Sequence, residues 1–146
     1  MPPKIQQEND GPTILVIEDD ADARRMYADF LRMKGWVVFT AADGRGGVDK
    51  TTDLAPDLVV VDLAMPRVDG WTVLQLLKNS SWTAEIPIVV VSALTDARDR
   101  ELEAGADAFL AKPCTPQALW LQLRALLSLR TRSARERRRS RGAASG

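Results

Sequence analysis

The chain has 146 residues, a single cysteine, no histidine, and 20 cationic against 20 anionic side chains. That length supports one hydrophobic core with short extensions, so an effector domain would have to lie elsewhere. The missing histidine excludes His-based acid/base catalysis and His-ligated metals, and the lone Cys114 excludes an internal disulfide. The charge balance is zero only in sum: residues 1–129 carry net −6, and residues 130–146 hold seven Arg against one Glu.

The leader, residues 1–12, reads MPPKIQQENDGP, which lacks the apolar stretch of a secretory signal and is expected to be disordered. No apolar run approaches the roughly 20 residues that cross a bilayer. A cytoplasmic protein without membrane contact is the expectation. Thr13 to Ile17 is a β-branched, apolar strand that runs directly into Glu18, Asp19 and Asp20. Ala21 to Lys34 carries Ala23, Met26, Tyr27, Phe30 and Leu31 at helical spacing and stops at Gly35. Trp36 to Thr40 reads as a second strand, and Asp43 to Asp53 as a helix with an Asp cap, weakened by Gly44, Gly46 and Gly47.

Leu58 to Val61 is a short apolar run that ends in Asp62 and then turns through Pro66, Asp69 and Gly70. This pattern marks a buried strand with a carboxylate at its carboxyl end. A third helix follows over Gly70 to Lys78, then a polar linker, NSSWTAE. Ile86 to Val91 is a fourth strand ending in Ser92, Asp96 to Ala104 a charged helix closed by Gly105, and Ala108 to Ala111 a fifth strand ending in Lys112 and Pro113. Pro116 to Leu129 is a final helix with Leu119, Leu123, Leu126 and Leu127 on one face. Past it, Arg135 and Arg139, or Arg137 and Arg141, would repel at i, i+4 in a helix, so residues 130–146 are expected to be a disordered basic tail.

Five strands alternating with five helices, the strands apolar on both faces, call for right-handed crossovers and a doubly wound α/β fold with a central parallel sheet. The carboxyl ends of parallel strands share one edge, so Glu18, Asp19 and Asp20, then Asp62, Ser92 and Lys112 would converge on one crevice. An Asp at a strand end is, by itself, as readily a turn former or a helix cap. Several carboxylates together, however, repel unless protonated or neutralised by a cation, and an all-oxygen site favours a hard ion such as Mg²⁺.

With IEDD at 17–20, DLAMPRVDG at 62–70, VSA at 91–93 and AFLAKP at 108–113, the stretch 13–129 resembles the receiver domains of two-component response regulators, of the stand-alone chemotaxis type. The resemblance implies a flavodoxin-like five-stranded sheet of order 2-1-3-4-5. It makes Asp62 the phosphoacceptor, charged from a phosphohistidine of a histidine kinase or histidine phosphotransfer protein. It gives a Mg²⁺ ion, or Mn²⁺ in its place, the carboxylates of Glu18, Asp19 and Asp62 and the backbone oxygen of Ala64, with Glu18 acting through a water. Asp20 stays as an outer charge or a helix cap. Lys112 and Ser92 would bind phosphoryl oxygens, Lys112–Pro113 is a candidate cis bond, and Ser92 with Phe109 would form the switch that changes the surface of the fourth helix, fifth strand and fifth helix. Trp120 is a candidate contact on that surface, and both aromatics read equally well as packing. Monomer and phosphorylation-dependent dimer are both open.

The residues two beyond Asp62 and two beyond Ser92 are Ala64 and Leu94, neither able to orient an attacking water, so slow self-dephosphorylation is expected. A Mg²⁺-dependent phosphohydrolase of the haloacid-dehalogenase type also uses a strand-end Asp, but it wants a second Asp where this chain has Ala64. A phosphorylation-independent scaffold of the same fold is a third reading. The arginine tail reads either as a solvated extension or as an arm for nucleic acid or an acidic partner. Cys114 reads as a small buried hydrophobe.

Overall fold

A computed structural model describes residues 11–62, 70–93 and 105–145, with side chains described as far as Arg130. The elements in order are β1 (Thr13–Ile17), α1 (Ala21–Met33), β2 (Val37–Ala41), α2 (Gly44–Leu54), β3 (Leu58–Asp62), α3 (Gly70–Lys78), β4 (Ile88–Ser92), β5 (Ala108–Ala111) and α4 (Pro116–Ser145). All strand pairings are parallel and the sheet order is β2-β1-β3-β4-β5, as the resemblance implies. The helix expected over 96–104 lies outside the described residues, as do Ala64 and Leu94.

The period of two along each strand divides the core in two. Leu15, Ile17, Val59, Val61, Ile88 and Val90 meet Val73, Leu74 and Leu77 of α3, with Val48 of α2 alongside. The alternate residues, Ile14, Val16, Leu58, Val60, Val89 and Val91, meet Tyr27, Ala28 and Leu31 of α1 and Leu119 and Leu123 of α4. Both faces of the central strands are therefore covered, which is why their sequences are continuous apolar runs rather than alternating ones. Each fully buried leucine contributes about 1.5–3 kcal/mol of apolar transfer.

Local chemistry fixes the helix ends. Asp20 caps α1, its side chain accepting from the Ala23 amide at 2.8 Å, and Asp43 caps α2 by accepting from Gly46 at 2.7 Å. Gly35 follows α1 with φ +87°, a left-handed value that glycine adopts without steric cost. A Cβ at Gly47 would sit 2.3 Å from Ile17 Cδ1, so the glycine that weakens α2 as an isolated helix is what lets it lie close on β1. Thr115 caps α4, accepting from the Ala118 amide at 3.1 Å, with Pro116 in the first helical position.

Two expectations are corrected. The fourth strand begins at Ile88, because Pro87 has no amide to donate and the Ile86 amide turns back to the Thr83 carbonyl at 3.0 Å. The larger correction concerns the tail: the backbone of α4 is helical to Ser145, well beyond Leu129. A helix already nucleated by packing extends at one hydrogen bond per residue, and a stretch of Arg, Ala, Ser and Glu without proline extends well. Repulsion of a few tenths of a kcal/mol per i, i+4 arginine pair is too small to stop it.

Candidate functional site

Strand register brings the chemical groups together. Ile17 is paired with Val61, so the next residues, Glu18 and Asp62, stand side by side at the carboxyl edge of the sheet. Asp62 is paired with Val91 and Ser92 with Ala111, which brings Ser92 next to Asp62 on one side and Lys112 next to Ser92 on the other. Glu18, Asp62 and Ser92 are buried, Asp19 is exposed, and Lys112 is partly exposed. Carboxylate oxygens of Glu18, Asp19 and Asp62 lie within 4.8 Å of one another. The Lys112 Nζ is 3.3 Å from Asp62 Oδ2 and 3.4 Å from Glu18 Oε1.

The electrostatics follow from this crowding. Burial pushes the Glu18 carboxyl up to about 8, with its hydrogen bond to Asp62 and the Asp62 charge adding to the rise and Lys112 opposing it. Burial pulls Lys112 down, but the charges of Asp62 and Glu18 outweigh it and hold the ammonium above its usual range. Lys112 is thus a fixed cation at neutral pH, and it is shared by two acids. The donor set is all oxygen, clustered and short of positive charge, which fits a hard divalent cation held by carboxylates.

Ser92 and Phe109 lie on one face of the sheet. Phe109 is opposite Val90, two residues before Ala111, the partner of Ser92, and it is half-buried against the cluster that α3 covers. The Lys112–Pro113 bond is cis, as expected. Trp120 is half-buried against the α1 face, with Lys34 Nζ at 4.4 Å and Arg124 Cζ at 4.8 Å from its ring centroid, and its indole Nε1 is buried without a described hydrogen-bond partner. Burial pushes the Cys114 thiol up, away from reactive thiolate.

Two supports were not legible in the sequence. The Arg24 Nη1 donates to the Glu18 carbonyl at 2.9 Å and to the Asp19 carbonyl at 3.4 Å, tying α1 to the acidic loop. The Tyr27 hydroxyl donates to the Cys114 carbonyl at 2.9 Å, tying α1 to the segment that follows Lys112. Sequence separation of 87 residues hides the second contact, and only the position of Tyr27 on the buried face of α1 could have suggested it. Tyr27→Phe is expected to lower stability by about 0.5–1.5 kcal/mol, the net value of one hydrogen bond, read from urea midpoints. An unchanged midpoint would mean that the bond contributes nothing.

Residues 14–124 match the family model of the response regulator receiver domain. The chain belongs to that family. It is 38% identical over 118 residues to the DNA-binding dual master transcriptional regulator RpaA of Synechocystis, covering 80% of this chain and 49% of that protein. It is 37% identical over 126 residues to the transcriptional regulatory protein PrrA of Mycobacterium leprae, covering 85% of this chain and 53% of that one. The chain thus spans about half the length of these regulators. Among solved structures, the chemotaxis protein CheY4 of Vibrio cholerae superposes with TM-score 0.74 at 27% identity, covering 79% of this chain and 98% of that one. A receiver domain of a sensor histidine kinase of Pseudomonas aeruginosa, with a magnesium ion coordinated in its active-site cleft, gives TM-score 0.74 at 27% identity over 81% of this chain and 98% of that one. Response regulator receivers are signalling proteins of two-component systems, and neither the scaffold reading nor the phosphohydrolase reading is favoured. Among the described residues, no helix is long and apolar enough to cross a membrane.

Proposed function

We propose that this receiver accepts a phosphoryl group on Asp62 from a phosphohistidine of a histidine kinase or histidine phosphotransfer protein. The observation that carries the reading is the meeting of Glu18, Asp19 and Asp62 within 4.8 Å of one another at one sheet edge, with Lys112 in contact with Asp62 and Glu18. An Asp62 carboxylate oxygen forms a bond to phosphorus while the P–N bond breaks and its electron pair leaves with the imidazole. Lys112, already at Asp62, pairs with a phosphoryl oxygen, and the Ser92 hydroxyl donates to another. Glu18, Asp19, Asp62 and the Ala64 carbonyl would hold Mg²⁺, which supplies positive charge to the phosphoryl oxygens.

Phosphorylation adds charge and acceptor oxygens at Asp62 and draws Ser92 toward them; Phe109, on the same sheet face, follows into the space left behind. The surface around β5 and α4 is the output. The chain catalyses only its own phosphoryl transfer and a slow loss, since Ala64 and Leu94 offer no side chain to orient water.

Intact mass after incubation with acetyl phosphate tests the reading. The expected result is a gain of one phosphoryl group that requires Mg²⁺ and disappears in Asp62→Asn, with a parallel change in tryptophan fluorescence. A gain that persists in Asp62→Asn, or no gain with acetyl phosphate and candidate kinases alike, would sink it.

A further inference from the structure

We infer that residues 131–145 of α4 form a binding arm for duplex DNA, which docks as a continuous helix in the major groove and holds phosphates without reading sequence. This stretch contains six Arg, one Glu and no Lys, and its only apolar residues are alanines. Its backbone is one uninterrupted helix with the packed part of α4. Fifteen residues at 1.5 Å per residue extend about 22 Å, roughly two-thirds of a duplex turn.

Position around the helix axis selects the partner. At 100° per residue, Arg132, Arg135, Arg137, Arg138, Arg139 and Arg141 occupy an arc of about 220°, and the remaining arc holds Ser133, Glu136, Ser140, Ala143 and Ala144. An arc wider than half the circumference suits a partner with a floor and two walls. The major groove, about 12 Å wide and lined by phosphates on both sides, is such a partner and admits a helix. An anionic membrane would instead ask for an apolar stripe opposite the charges, and a partner helix for a leucine seam. Neither pattern occurs after Leu129.

The direction of the helix keeps this charge away from the acids. α4 starts beyond the carboxyl end of β5 and runs back along the sheet, and Arg130 donates to the carbonyl of Glu85, just before β4 at the amino edge. The arm therefore leaves the domain at the end opposite Glu18, Asp19 and Asp62. A polyanion on it would meet neither the acid cluster nor a kinase docked there. Arginine rather than lysine matches phosphate in fork geometry, and phosphates between Arg135 and Arg139 or Arg137 and Arg141 would remove their mutual repulsion.

The test uses the full chain and a fluorescein-labelled 20-bp duplex, read by anisotropy, with guanine N7 methylation by dimethyl sulfate as the groove probe. Binding is expected at 50 mM salt, independent of base sequence, and weaker by about several hundredfold at 200 mM, the response to neutralising about five phosphates. Guanine N7 positions should be protected. A variant with R132Q, R135Q, R137Q, R138Q, R139Q and R141Q should lose at least about a hundredfold in affinity. It should still gain a phosphoryl group from acetyl phosphate to the same extent as the unsubstituted chain, which separates loss of the arm from loss of the fold or of the phosphoacceptor. Equal binding by that variant, unprotected N7 positions in the bound complex, or binding to phosphatidylserine vesicles without binding to duplex would each overturn the inference. So would salt-sensitive self-association of the chain with no affinity for duplex.

Discussion

Lys112→Met is expected to slow phosphoryl transfer from acetyl phosphate by on the order of 10²–10³-fold, the usual cost of removing one positioned donor from a site where charge develops. The ammonium is 3.3 Å from Asp62 and 3.4 Å from Glu18, so it pairs with the Asp62 carboxylate and faces the Glu18 carboxyl. Methionine keeps the length of the side chain and removes the charge, so packing along the stem is preserved while the phosphoryl oxygens lose their partner. The same change leaves two acids facing each other with one fewer neutralising group. Because the lysine is partly exposed, the stability cost is discounted to about 1–3 kcal/mol, below that of breaking a fully buried pair.

A second readout separates chemistry from unfolding. Lys112 ligates no cation, and removing a positive charge from beside the acids should leave Mg²⁺ affinity equal or higher. Slow transfer with intact Mg²⁺ binding, measured by tryptophan fluorescence titration and intact mass, is the expected combination. Transfer within threefold of the unsubstituted chain would show that Lys112 does not hold the phosphoryl group.

The fold and the acid cluster were legible for one reason: parallel strands covered on both faces read as unbroken apolar runs, and whatever follows each run must lie on one edge. Leu58–Asp62 and Thr13–Ile17 show this most directly. Once the strands are placed, Glu18, Asp62, Ser92 and Lys112 are placed with them. The features that were hidden depend on something other than the local pattern. Tyr27 and Cys114 meet across 87 residues, so no window of sequence contains their bond. Arg24 reads as one more solvent-facing cation of an amphipathic helix until its contacts with the Glu18 and Asp19 carbonyls are seen. The three glycines of α2 argue against a helix locally, and the explanation, contact of Gly47 with Ile17, lies in the packing. In the tail, repulsion between neighbouring arginines is outweighed by continuity with a packed helix.

Glu18 gives the second prediction, a stability profile that runs opposite to that of an ordinary salt-bridged acid. Its folded-state value of about 8 lies well above the 4.5 of an unperturbed carboxyl. Between those two values the folded protein keeps a proton that the unfolded chain has released, so stability falls as pH rises through the window. Lys112, held above 10.5, keeps its charge in both states across this range and leaves the slope unaltered. Without Mg²⁺, the unfolding free energy should therefore decline from pH 5 to pH 8, by at most about 1.4 kcal/mol per pH unit for one proton. Glu18→Gln, which cannot ionise, should flatten the profile and melt several degrees higher at pH 8. The same proton links the acid cluster to cation binding: if the Glu18 carboxylate is what a cation requires, Mg²⁺ binding below pH 8 must expel it. Titration calorimetry in two buffers of different ionisation enthalpy should then report close to one proton released at pH 6.5, fewer at pH 8.5, and none at either pH in Glu18→Gln. A flat melting profile together with no proton release would place the Glu18 proton outside both folding and metal binding.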